Sequence, residues 1–338
     1  MPDTRYDVLG IGNAIVDIIA RCDEPFIRRH GLDKGHMHLI DAERSAVLYR
    51  DMGPAVETSG GSAANTIVGV ASLGGQGAYI GKVADDIFGN IFRHDIHSLD
   101  VDFDSLAVIN GPPTATSMIL VTPDGERTMN THLGACVLLD EADVDESKVK
   151  SARITYLEGY LFDRPAAKRA FRLAARHAHA AGRRVALTLS DGFCVDRHRS
   201  EFLDLIKGSV DIVFANTAEI TSLYQTADFG DACRRIAADA PLAAVTRGAA
   251  GSVIVRGEER FEVAPEPVHA VVDATGAGDL YAAGFLFGHS RGASLATCGR
   301  LASLAAAEVI GHIGPRPEAR LADLAAARAI SVPARTNR

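Results

Sequence analysis

The stretch Val271 to Phe287, V-V-D-A-T-G-A-G-D-L-Y-A-A-G-F-L-F, holds the residues whose types and spacing most plainly suggest chemistry. Asp273 and Thr275 precede a Gly276-Ala277-Gly278 turn, then Asp279, then an apolar run that reads as a helix. Glycines let the backbone bend sharply and come close to a ligand. A helix starting near Gly278 leaves its first N–H groups without intrahelical partners, and with the helix dipole they form an anion site. Asp279 then sits in the first turn beside the anion. A carboxylate held against bound phosphate is repelled by it, but it suits a base that takes the proton of an attacking hydroxyl. The same letters also describe a capped helix start with an acidic first turn. Local chemistry alone leaves both readings open.

D-A-T-G-A-G-D followed by an apolar helix with an early glycine, Gly284, resembles the C-terminal signature of the ribokinase-like (PfkB) family of carbohydrate and nucleoside kinases. The resemblance implies that Asp279 is the catalytic base, and that the backbone of Gly276, Ala277 and Gly278 forms the anion hole. It also implies that Asp273 and Thr275 help hold a monovalent cation, K⁺. S-G-G-S-A-A-N-T over 59–66 is similar to the family's N-terminal signature, in which Gly60, Gly61, Ser62 and Asn65 bind the acceptor. G-N-A-I-V-D-I-I-A resembles the opening of the family's adenosine kinases, where Asp17 would grip two ribose hydroxyls with Asn13 close by. In G-E-R-T-M-N-T, Arg127 matches an arginine that reaches the phosphate. Asn216-x-x-Glu219 resembles the motif that organises Mg²⁺, and Thr246-x-Gly248-x-x-Gly251 resembles the nucleotide-side turn. E-G-Y-L-F and L-S-D-G-F are similar to stretches whose aromatics, here Tyr160 and Phe193, flank a nucleoside base.

The residues themselves allow blander accounts. Asp17 could be a solvent-facing position on a half-exposed strand, though a carboxylate in an apolar run is costly to bury without partners. Asn216 with Glu219 could be a capping box. Tyr160 and Phe193 could be core residues, and Arg127 a surface cation. Gly10-x-Gly12 is a partial dinucleotide fingerprint, but Ile15 stands where its third glycine belongs and the chain continues as strand. Gly81-Lys82 is not a Walker loop, because Gln76 replaces the required glycine. Val83-Ala84-Asp85 lacks the glycine usual before the family's aspartate.

These residues need a frame. Tyr6–Ile11 reads as a buried strand, and Ser62 can cap a helix ending at Leu73. From 150 onward strands and helices alternate: a strand at 154–158, a helix capped by Asp163 with Pro165 in its first turn and running to Gly182, then strands at 185–189, 211–215 and 242–246. That alternation predicts a doubly wound, mostly parallel α/β sheet with helices on both faces and ligands at the strands' C-terminal ends. A helix near 296–310 followed by Gly311-His312-Ile313-Gly314 should flank the adenine of ATP, by resemblance. Segments 14–22, 35–41 and 113–132, the last a hairpin turning at Pro123-Asp124-Gly125, should form a small β-sheet lid over one ribokinase-like domain spanning 1–338. His30, His36 and His38 read as ordinary surface and lid histidines.

The chain has 338 residues, 47% hydrophobic, and a formal net charge of −8, enough apolar content for a large core. The acidic balance argues against a nucleic-acid partner. Five scattered cysteines, without C-x-x-C, suit reduced thiols in a cytoplasmic protein and supply no zinc pattern. The first residues lack a signal-peptide pattern, and no run is long enough for a membrane span. The whole predicts a kinase moving phosphate from MgATP to the primary hydroxyl of a nucleoside, most of all adenosine, in a monomer or homodimer. The alternative is a sugar kinase of the same family acting on ribose or fructose.

Overall fold

The structure, a computed structural model, describes residues 4–335; Met1-Pro2-Asp3, the start of the segment read for a signal peptide, and residues 336–338 lie outside them. In chain order the strands are β1 (Tyr6–Ile11), β2 (Ile15–Arg21), β3 (Met37–Leu39), β4 (Ala55–Gly60), β5 (Gly77–Ile80), β6 (Val101–Asp102), β7 (Ala115–Val121), β8 (Arg127–His132), β9 (Ala152–Glu158), β10 (Arg184–Thr188), β11 (Ile212–Asn216), β12 (Leu242–Thr246), β13 (Ser252–Arg256) and β14 (Glu259–Val263). The large sheet runs β14-β13-β12-β11-β10-β9-β1-β5-β6. It is parallel from β12 to β6, and only the β12–β13–β14 edge is antiparallel.

Strand periodicity divides its core in two. Along β9 to β13, Ile154, Tyr156, Ala186, Ile212, Phe214, Leu242, Ala244 and Ile254 pack in one apolar layer, and the alternate residues Leu157, Val185, Leu187, Val213, Ala243, Val245 and Val253 in the other. Burial on both faces is why these strands read as continuous apolar runs. Helices Pro165–Ala180, Gly192–Ser209, Thr217–Tyr224 and Phe229–Asp239 supply residues to the second layer, and Ser62–Ser72, Ala277–Ser290 and Leu295–Val309 to the first.

The small sheet runs β3-β8-β7-β2-β4. It contains the three expected segments and one that was not expected, β4, paired antiparallel with β2 from Ile15↔Gly60 to Ala20↔Ala55. Its sequence, A-V-E-T-S-G, has too little apolar alternation to read as a strand. Two helix starts also differ from expectation. Gly61, not Ser62, is the N-cap of Ser62–Ser72, at φ 99°, where an added Cβ would collide with the Asn13 carbonyl; Ser62 is left free for another partner. Arg164 occupies the cap of Pro165–Ala180 without a side-chain bond, while Asp163 pairs with Arg197 and His198. Among the described residues no helix is long and apolar enough to cross a membrane.

Helix Ala277–Ser290 is apolar nearly all round and is clamped between two others. A Cβ on Gly69 would lie 2.6 Å from both Ala283 Cβ and Leu280 Cδ1, and one on Gly284 would strike the Leu301 carbonyl oxygen. Mid-helix Gly→Ala ordinarily gains about 1 kcal/mol, so Gly284→Ala gives a clear sign: overpacking should instead destabilise the protein by about 1–3 kcal/mol. A urea unfolding midpoint at or above wild type would show that the crossing is not tight.

Candidate active site

Gly276 takes the left-handed conformation at φ 80° as N-cap of Ala277–Ser290, and a Cβ there would lie 2.7 Å from Pro315 Cα. The turn therefore requires glycine, and it leaves the amides of Gly278 and Asp279 at a helix start, where no preceding turn of that helix supplies a carbonyl, while the Ala277 amide donates to the Ala274 carbonyl at 3.3 Å. Asp279 falls in the first turn, as expected. Its carboxylate accepts a 2.6 Å hydrogen bond from Ser62 Oγ at Oδ1 and a 3.0 Å bond from Asn65 Nδ2 at Oδ2, and Thr66 Oγ1 donates to its carbonyl. The two signatures, more than 200 residues apart in sequence, thus meet through side chains. Burial raises the Asp279 carboxyl above its ordinary value, opposed by the Ser62 and Asn65 bonds.

Asp17 lies on β2 beside Gly60 of β4, so close that any Cβ on Gly60 would overlap its carboxylate. Gly61, Ser62 and Asn65 follow directly on the adjoining helix. Asp17 is only 8% exposed, and among the described residues no protein group donates a hydrogen bond to its carboxylate. Burial pushes it from 3.8 to about 7, against the pull of Arg316 and Arg127, with the Asp279 charge adding to the rise. Buried carboxylates ordinarily keep a partner, which makes Asp17 a candidate for a ligand's donors. Asn13 lies alongside, but its amide donates to Glu158 Oε1 at 2.7 Å.

Arg127, at the start of β8, reaches over to the segment before the Gly276 turn. Its Nη2 lies 2.8 Å from Asp273 Oδ2, and its Nη1 is 3.5 Å from Thr275 Oγ1. Asp273 also accepts from the Gly314 amide, the Thr275 amide and the Thr275 hydroxyl. Asp273 and Thr275 are therefore brought together as expected, with Arg127 on them.

On the other side of the Gly276-Ala277-Gly278 turn is a cavity of about 480 Å³ whose lining includes Thr246, Gly248, Gly251, Ala277, Gly278 and Ile310. Ser303, Ala306 and Ala307 of helix Leu295–Val309 complete one wall, while residues 311–314 do not line it; His312 turns to Glu308. Thr246-Arg247-Gly248-x-x-Gly251 forms the β12–β13 connection, with Gly248 at φ 57° and Gly251 at φ 78°. Asn216 is the register partner of Thr246 on the next strand. With Glu219 it forms a complete capping box: Glu219 accepts from the Asn216 backbone and side-chain amides, and Asn216 Oδ1 accepts from the Glu219 amide. Burial raises Glu219 to about 7.

Tyr160 and Phe193 are not core residues. Phe193 is 70% exposed, with the Arg197 guanidinium 4.3 Å over its ring. Tyr160 is 38% exposed and donates to the Ser190 carbonyl, and its charged neighbours include Asp279 and Glu158.

Three charged residues of the site escaped the sequence. Glu158, at the C-terminal end of β9, binds Asn13 and the Ala63 amide and is pushed by burial to about 7. Its signal was related to the one that singled out Asp17: Glu158 is a carboxylate at the end of an apolar run, Asp17 one inside a run. Arg316 donates to Asn65 Oδ1 and Asp95 Oδ2, each at 3.2 Å, and Asp95 in turn holds Thr58 and Ser59 of β4. An arginine between two prolines past the last signature, and an aspartate inside an amphipathic helix, carry no pattern to find.

The raised Asp17 value has a consequence for stability. Between pH 4 and 7 the folded protein keeps a proton that the unfolded chain has released, so this group's contribution is full below pH 4 and lost as pH rises through 7. Asp17→Asn cannot ionise. It should be more stable than wild type at pH 8, on the order of 1–3 kcal/mol, and nearly equal at pH 4. Urea unfolding at both values measures this, and a pH-independent difference would contradict it.

Residues 37–320 match the family model for pfkB family carbohydrate kinases. The chain is similar to the solved adenosine kinase from Sinorhizobium meliloti, with 58% identity, a TM-score of 0.90, and coverage of 97% of this chain and 100% of that one. It is also similar to a probable sugar kinase from Rhizobium etli CFN 42, with 54% identity, a TM-score of 0.91 and the same coverage. An ATP-dependent ribose-1-phosphate kinase from Halopiger xanaduensis is 30% identical over 237 residues, 68% of this chain and 73% of that protein. With its two signatures joined through Asp279 and its mostly parallel sheet, this chain belongs to the pfkB family of carbohydrate kinases.

Proposed function

We propose that the protein transfers the γ-phosphoryl group of MgATP to the primary hydroxyl of a nucleoside, with adenosine as acceptor. One observation carries the reading: Asp279 stands at the anion-binding helix start and is gripped by Ser62 and Asn65 of the opposing signature helix. The acceptor lies between Asp17 and Asp279. Asp17 takes two sugar hydroxyl protons as hydrogen bonds, with Gly60, Gly61 and Asn13 shaping the floor. Asp279 accepts the proton of the attacking hydroxyl while that oxygen bonds to the γ-phosphorus and the bond to the β-phosphate oxygen breaks. Amides at Gly276 to Gly278 and the Arg127 guanidinium stabilise the charge on the moving group.

ATP occupies the cavity lined by Thr246, Gly248 and Gly251, which opens onto Gly278. Mg²⁺, when bound with the nucleotide, would supply the positive charge that neutralises the phosphates, with Asn216 and Glu219 the residues placed to organise it. Both Glu219 oxygens are engaged by Asn216, so this pair fits a role behind the metal's water shell better than direct ligation. The small sheet acts as a lid that excludes water. Asp273 and Thr275, beside Arg127, are the residues that would hold K⁺. Tyr160 and Phe193 offer faces for a purine, and the relative from Sinorhizobium meliloti supports that choice. A free sugar is the second reading, favoured by the Rhizobium etli relative. Five free cysteines suit a cytoplasmic setting.

A panel of adenosine, inosine, guanosine, ribose and fructose, read as ATP consumed, should show adenosine turned over best. Turnover of a free sugar alone would reverse the acceptor. Asp279→Asn should lower kcat by roughly a hundred- to ten-thousandfold with ATP affinity intact; a minor loss would remove the base. Asp17→Ala should chiefly raise the acceptor KM, and replacing Na⁺ by K⁺ should raise the rate.

A further inference from the structure

Asn65 has two chemically opposite ends, and only one suits Asp279. With Nδ2 turned to the carboxylate, the amide donates. Turned over, its carbonyl oxygen would face a carboxylate oxygen, acceptor against acceptor. Nothing in the helix backbone selects between these, because the two orientations differ only by rotation about the terminal side-chain bond. The selection comes from outside the helix, from Asp279 at one end of the amide and Arg316 at the other. Arg316 Nε donates to Asn65 Oδ1 at 3.2 Å, and a guanidinium has no acceptor with which to tolerate the reversed amide.

Arg316 is itself held. Its Nη1 donates to Asp95 Oδ2 at 3.2 Å, and Asp95 also accepts from the Ser59 amide at 2.8 Å and from the Thr58 hydroxyl at 3.1 Å. The neighbouring Pro315 packs against Gly276. One side chain therefore joins three things: the segment that walls the anion hole, the end of β4 that carries Gly60, and the amide that grips Asp279. Arg316 also lies near Asp17, which it draws towards the charged form.

We propose that Arg316 is a positioning residue that sets the Asn65 amide so that it donates to Asp279, keeping the base's carboxylate turned for proton acceptance. Arg316 need not touch ATP, since it lines no part of the nucleotide cavity. This rests on the kinase reading above, but on no choice of acceptor.

The test is a double-mutant cycle measured on whichever acceptor the wild type turns over. Arg316→Met should lower kcat roughly ten- to hundredfold, the effect of losing a charge-assisted hydrogen bond at the base, with the KM for ATP unchanged. Arg316→Lys, which keeps the charge but cannot bind Asn65 and Asp95 together, should recover only part of the loss. In an Asn65→Ala background, adding Arg316→Met should cost less than about threefold, because the relay is already cut. Equal losses in both backgrounds, or a raised KM for ATP in place of a lowered kcat, would overturn the proposal. The Asn65 side-chain amide signal in NMR gives an answer without turnover. Its hydrogen-bonded proton should be shifted downfield and slow to exchange in wild type and should lose both properties in Arg316→Met. Protection that survives Arg316→Met would sink the relay even if the kinase reading stood, and a wild type that turns over no acceptor, with that protection lost in Arg316→Met, would sink the kinase reading alone.

Discussion

The site depends on a helix contact that permits no side chain. Ser62–Ser72 meets Ala277–Ser290 at Gly69, with Ala283 and Leu280 across the gap, and Ala277–Ser290 meets Leu295–Val309 at Gly284 against the Leu301 carbonyl. Helices can approach this closely only where one offers no Cβ. The distance fixed there decides whether Ser62 and Asn65, seven and four residues before Gly69, can reach Asp279. A larger spacing would break short-range bonds of 2.6 and 3.0 Å and leave a buried carboxylate unpartnered. Packing and site geometry are thus one constraint, because the apolar residues that fill the core also set the position of the Asp279 carboxylate.

The same constraint explains which glycines matter. Gly60, Gly61 and Gly276 each stand where a Cβ would strike a functional neighbour: the Asp17 carboxylate, the Asn13 carbonyl and Pro315. In the first two, the missing side chain lets β4 and the helix after it close on β2. In the third, it lets the anion-hole turn rest against the segment carrying Arg316. A ligand entering this cleft would meet backbone amides and carboxylates at short range, with little side-chain bulk between.

Legibility followed from how local each signal was. The parallel sheet was readable because strands buried on both faces are continuous apolar runs, as with Ile212–Asn216, and their edges fell within a residue or two of expectation. The anion-hole turn was readable because D-A-T-G-A-G-D combines a glycine turn with a first-turn acid. β4 was not, since A-V-E-T-S-G gains its strand identity only from pairing with β2. Ser62 read as a cap because serine usually is one; tertiary contact gave the cap to Gly61 and the hydroxyl to Asp279. Asn216 and Glu219 form the capping box that the letters allowed and also stand at the strand ends where the site lies, so the two accounts were never exclusive. Arg316 and Asp95 act only through partners far away in sequence, and nothing local distinguishes them from surface charges.

Four carboxyl groups in this region, Asp17, Glu158, Glu219 and Asp279, are raised above their ordinary values, and burial is the leading cause in each. A protein selected for stability alone would not bury four acids near one cleft with Arg127 and Arg316 as the nearby cations. Each group either keeps a protein donor, as Glu158, Glu219 and Asp279 do, or waits for one, as Asp17 does. The unpartnered member is the one on β2, in the small sheet, and the three satisfied members lie on the large sheet and its helices. Ligand donors are therefore missing on the side of the cleft that the small sheet forms. Under the proposed function a polyhydroxyl acceptor would supply them. Asp279, on the opposite wall, is already held by Ser62 and Asn65.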